Sequence, residues 1–168
     1  MRAANTKIGD IFYVEMDENN KKYFQLIAFD LYQLNSDVIR TFEKSYPIDS
    51  NPNLSEIVAG NVEFYAHCVT KFGLKMGLWK KYGNIADVGK TDHIIFRGTS
   101  DYGVKTGEQP IKISQNWYVW RLGDLQTVWV GKLNGENRDS EIGLIMNPYD
   151  IIGRIKFGKY PGVYPHFE

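Results

Sequence analysis

Between Lys7 and Ala28 two runs rich in aromatic and aliphatic residues, Ile8 to Met16 and Lys22 to Ala28, flank the polar cluster Asp17-Glu18-Asn19-Asn20. Such runs suit a pleated, half-buried surface, and Asp and Asn side chains tolerate turn conformations, so the chain is expected to open as a β-hairpin. Val38 to Lys44 reads as a third strand closed by Tyr46-Pro47, and Asn53 is placed to cap one helical turn over Leu54 to Val58. Val62 to Thr70 alternates with period two. Phe64, Ala66 and Cys68 fall on the face expected to meet the core, and Glu63, Tyr65 and His67 on the other.

Three glycines interrupt Phe72 to Asn84, which is read as a compact loop. Ile94 to Arg97, Ile111 to Ile113, Asn116 to Arg121 and Leu125 to Leu133 are the remaining strands. One longer helix starts at Asn147 with Pro148 at its first position, carries Ile151, Ile152 and Ile155 on a stripe and stops at Gly158. Roughly eight short strands with one C-terminal helix and one short helical turn predict a mainly β (α+β) domain over 1–168, built as a single curled or SH3-like barrel sheet. Trp117 and Trp120 lie on opposite faces of their strand, so one of them must cover the outside of that sheet, and the C-terminal helix is the expected cover for Trp120.

Charge changes the picture only locally. Twenty basic and twenty acidic side chains cancel, unlike a dedicated nucleic-acid binder, whose domain pI is usually above about 9. From Asp10 to Glu63, however, ten acids stand against four bases, and Phe64 to Ala86 carries four lysines and no acid. The functional reading of that asymmetry is an acidic face for a basic partner. A lone Cys68 makes no internal disulfide, and Met1 to Lys7 lacks the apolar core of a secretory leader, so a cytoplasmic protein is expected. No run approaches the roughly 18 apolar residues of a membrane span.

Candidate chemistry is sparse. His67 and Cys68 are strand neighbours facing opposite ways, and no His or Cys pair has zinc-site spacing. Gly98 to Gly103 lacks the Gly-Lys-Ser/Thr ending of a phosphate loop, and hydrolase motifs are missing. No catalytic residue, metal or cofactor is therefore assigned. A single-strand nucleic-acid groove built on Lys71, Lys75, Lys80, Lys81 and Trp79 is a lesser alternative.

The order of segments resembles the immunity protein 26 family, small bacterial proteins encoded near polymorphic toxins, some of whose relatives carry a phosphotriesterase label. The resemblance rests on Lys7-Ile8-Gly9-Asp10-Ile11-Phe12, Tyr23 to Ile27, Leu78-Trp79-Lys80-Lys81-Tyr82-Gly83, Glu141-Ile142-Gly143-Leu144 and the Pro148 to Gly158 helix. Phe24-Gln25 stands where the family commonly has a glycine-containing return strand, and the Ser45 to Gly60 excursion is long. The resemblance implies an immunity protein that neutralises a cognate bacterial toxin by steric and electrostatic blockade, with a metal-dependent hydrolase of the phosphotriesterase type as the alternative. Such a task calls for a complementary surface burying about 1,600 Å² in total. Asp17, Glu18, Asp30 and Asp37 are the residues expected to bind that partner.

Overall fold

The computed structural model describes residues 5–103 and 105–168, so positions 1–4 of the leader reading lie outside the described residues. The opening hairpin is present. Strands β1 (Asp10–Glu15) and β2 (Asn20–Asp30) pair antiparallel, with Tyr13 opposite Tyr23 and Glu15 opposite Lys21. Asp17 closes the turn by accepting the N–H groups of Asn19 and Asn20, each at 2.8 Å, the local bonding that draws Asp to such positions.

Strand β3 (Ser36–Pro47) returns beside β2, and after the short helix α1 (Leu54–Val58) strand β4 (Val62–Cys68) pairs with β3. Helix α2 (Thr70–Lys75) leads into β5 (Lys80–Asn84), which adds to the far side of β1. A second sheet holds β6 (Ile95–Thr99), β7 (Trp117–Arg121), β8 (Val128–Gly131) and β9 (Glu141–Ile142) in the order β8-β7-β6-β9. The chain then returns to the first sheet as β10 (Ile145–Met146), parallel to β4, which completes the order β10-β4-β3-β2-β1-β5. Helix α3 (Pro148–Phe157) begins as expected: the Asn147 side chain accepts from the N–H groups of Tyr149 and Asp150, and Gly158 ends it in the left-handed region at φ 78°.

Among the described residues the expected single curled or barrel sheet is replaced by two sheets and no closed barrel. The reason lies in adjacent apolar pairs. Ile11-Phe12, Tyr23-Phe24, Leu26-Ile27 and Val38-Ile39 are all buried, and neighbours in a strand face opposite ways, so the first sheet has two faces to cover. Phe12, Phe24, Leu26, Ile39, Phe64 and Cys68 pack under Trp79 and the α3 residues Ile151 and Ile155. On the other face Ile11, Tyr23, Phe42 and Tyr46 meet Ile57 and Val58 of α1, and Ile27 and Val38 meet Phe96 and Trp120 of the second sheet. Between those two clusters Arg40 Nε donates to the Gln25 amide oxygen Oε1 at 2.9 Å, and both side chains bond to backbone oxygens of the Ile85 to Asp87 segment.

Other expectations change for the same reason. Trp120 is buried by the first sheet and not by α3, while Trp117 belongs to a separate cluster with Val119 and Leu133. His67, placed on the outer face of β4, is buried there by the second sheet. The Phe72 to Asn84 segment contains most of α2 and all of β5 instead of a loop. Ile111 to Ile113 forms a single bridge from Ile113 to His166 and no regular strand.

Candidate partner-binding surface

The four acids expected to form one face are dispersed. Asp17 and Glu18 are exposed in the β1–β2 turn, whereas Asp30 ends β2 and Asp37 stands in β3 opposite Phe29, near that same end. The ten steps between the eleven residues of β2, at about 3.3 Å per step, put roughly 33 Å between those ends. The Asp17 carboxyl is held below its usual range, first by the Asn19 N–H and then by that of Asn20.

Asp30 is a correction: it is 1% exposed and offers nothing to a partner. Its Oδ2 accepts from His67 Nε2 at 2.8 Å and Trp120 Nε1 at 3.2 Å, and its Oδ1 accepts the Gln33 N–H at 3.2 Å. The carboxylate is thus a clasp between β2, β4 and β7. Asp37 is half-buried and serves a structural end as well: Oδ2 accepts the Thr70 N–H at 2.9 Å and the Thr70 hydroxyl at 2.6 Å. Helix α2 is preceded by Val69, which has no side-chain acceptor, and Asp37 supplies the missing cap from β3.

His67 sets a pH dependence. His67 Nε2 shares a proton with Asp30 Oδ2 at 2.8 Å, and Nδ1 is left buried without a partner. Burial lowers the His67 pKa from 6.5, and the Asp30 hydrogen bond and charge offset this only in part. The folded-state pKa of His67 thus lies below that of the unfolded chain, so stability present above about 6.5 is lost as the pH falls from there towards the folded-state pKa, with a limiting slope of about 1.4 kcal/mol per pH unit. Urea midpoints measured between about pH 7 and pH 5 should fall for the native chain and stay flatter for His67→Gln; parallel curves would assign the loss to other groups.

The surface around the β2–β3 turn is apolar. Leu31 is 62% exposed and Tyr32 57%, with Phe29 and Leu34 also exposed. Leu34 and Asn35 are successive non-glycine residues at positive φ, 60° and 49°. A branched side chain in that region costs about 1–2 kcal/mol, so the tip holds a strained shape while displaying apolar groups to solvent. Gln33 Nε2 donates to the Leu125 carbonyl at 3.2 Å, which ties the turn to the β7–β8 loop. That loop displays Leu125, 68% exposed, and runs into the edge strand β8, where Val128 and Trp129 are exposed too. Beside the tip a recess of about 430 Å³ is lined by Phe29, Asn35, Asp37 and Lys71. Of the four acids, only Asp37 borders this surface. Sequence reasoning passed over Leu31, Tyr32 and Leu34, although the apolar residues of Phe29 to Leu34 continue past the end of a strand, which was the available signal.

Trp79, the proposed stacking platform for nucleic acid, is buried against Phe24 with ring centroids 5.0 Å apart, and its Nε1 donates to the Thr70 carbonyl at 3.0 Å. Lys80 and Lys81 pair with Glu15 and Asp10 at 3.2 and 2.9 Å. The ring named for the expected groove is thus not exposed. The Cys68 thiol is fully buried, and burial pushes its pKa up, opposite to what a nucleophile needs. Among the described residues no group of three or more His, Cys, Asp or Glu stands close enough to hold a metal ion, and no helix is long and apolar enough to cross a membrane. Comparisons with protein-family models, with curated proteins and with solved structures returned no match to this chain.

Proposed function

We propose that this chain is an immunity-type blocking protein, working in the cytoplasm by covering a cognate bacterial toxin. The carrying observation is the strained β2–β3 turn with Leu31, Tyr32 and Leu34 exposed on it. Exposed apolar groups on a rigid tip suit the centre of an interface, where aromatic anchors contribute most of the affinity. This relocates the partner surface from the four acids Asp17, Glu18, Asp30 and Asp37 to the apolar tip and the β7–β8 loop, with Asp37 at the margin.

The test is to co-express this chain with the product of the neighbouring reading frame, and to measure protection of the cells and co-purification of the two chains. Leu31→Asp with Tyr32→Asp should weaken binding by about 100-fold or more and remove protection, while stability moves by no more than about 1 kcal/mol at such exposed sites. Leu34→Gly should leave stability level or raise it by up to about 1 kcal/mol through relief of the left-handed strain. Full protection by the Leu31/Tyr32 double variant would dismiss this surface.

A further inference from the structure

A cleft of about 660 Å³ opens where the chain leaves α3 and passes over β6 and β9. Arg97 of β6 forms its inner wall, Lys112 and Lys159 reach it from the outside, and among the described residues no carboxylate lines it. Tyr160, Val163 and Tyr164 make much of the remaining lining apolar or aromatic. The walls are fixed by backbone bonds: Ile142 of β9 pairs with Arg97, and Lys112 accepts the His166 N–H at 2.8 Å while Ser114 donates to the His166 carbonyl at 2.9 Å.

Arg97 is the unusual element. Arg121, Arg138 and Arg154 each have a carboxylate partner, and Arg40, which has none, donates to the Gln25 amide oxygen and the Asp87 carbonyl; among the described residues Arg97 also has no carboxylate partner, and its side chain bonds only to the Ser140 carbonyl. Its guanidinium lies 5.6 Å from the centroid of the Trp117 ring and 5.3 Å from that of Phe167. The nearby Glu141 is engaged by Arg154 at 2.8 and 3.4 Å. Arg97 Nε and the Tyr164 hydroxyl are both buried without a hydrogen-bond partner. A part-buried guanidinium whose nearest carboxylate, Glu141, is already paired with Arg154 is only partly compensated in charge, and burial accordingly pushes its pKa down. An anion in the cleft would complete that compensation, and Lys112 and Lys159 would add to its attraction.

We propose that this cleft is a binding site for a small organic anion, a phosphate or carboxylate carried on an apolar, ring-sized body. The anionic group sits toward Arg97 between the two lysines, and the body lies against Tyr160, Val163 and Tyr164. None of these residues belongs to the β2–β3 tip, so the site stands or falls apart from the blocking function.

Titration of the full chain with phenyl phosphate, phenylacetate and benzyl alcohol, followed by amide chemical shifts, tests this. At least one of the two anions should bind with Kd below about 1 mM and shift amides of Arg97 and the 159–166 segment. The tighter of the two identifies the group. Lys112→Glu with Lys159→Glu, both exposed and safe for folding, should weaken binding about tenfold or more, and Lys71→Glu with Lys75→Glu should leave it unchanged. Equal affinity for neutral benzyl alcohol, shifts confined to other surfaces, or no response to either anion at about 10 mM would overturn the site.

Discussion

Asp30→Ala is expected to remove about 3–5 kcal/mol of stability, the loss that follows when one partner of a buried, hydrogen-bonded polar group is deleted. The residue looks like a surface acid in the sequence, yet both its oxygens are engaged, by His67, Trp120 and the Gln33 backbone. Without the carboxylate, Trp120 Nε1 and His67 Nε2 are left inside a buried contact between two sheets, and His67 already has one nitrogen without a partner. Domains typically keep about 5–15 kcal/mol in total, and at this size each lost kcal/mol lowers Tm by roughly 2–4 °C. Urea denaturation should therefore show a midpoint far below that of the native chain. Asp30→Asn, which keeps an acceptor oxygen, should lose less. A loss under about 1 kcal/mol for the alanine variant would mean that water replaces the carboxylate and that the sheets are not clasped there.

Trp79→Ala should cost a similar amount, about 3–5 kcal/mol. Its ring is 2% exposed, meets Phe24 edge-on and is grasped from the other side by α2. Gly73 of that helix lies so close that a Cβ there would collide with the indole. Truncation therefore leaves a cavity where β2, α2 and β5 meet and strips the Thr70 carbonyl of the indole donor at 3.0 Å. Trp79→Phe keeps most of the volume and loses the hydrogen bond, so it should fall between the two. Near-native stability of the alanine variant would instead place Trp79 on the surface and restore it as a stacking platform.

Elements defined by neighbouring residues were readable from the chain. The β1–β2 turn follows from Asp17, whose side chain bonds two residues just ahead of it, and α3 follows from Asn147, Pro148, the isoleucine stripe and Gly158. Both depend on contacts within about one turn of chain. Helix α2 was hidden because its N-terminal acceptor is Asp37, 33 positions earlier, and nothing beside Thr70 announces it. Strand β5 was hidden because Lys80 to Asn84 is polar and is held by its edge pairing with β1.

The candidate surface divides in the same way. Exposed apolar residues past the end of β2 are visible as letters, but the left-handed backbone at Leu34 and Asn35 and the link from Gln33 to Leu125 arise only from folding. The sequence alone determined a mainly β chain with a leading hairpin and a capped terminal helix, because those elements are specified by side chains near one another along the backbone. Tertiary structure decided that there are two sheets, that Asp30 is a buried clasp and that Arg97 faces a cationic cleft, because burial and charge pairing depend on which distant strand arrives on each face.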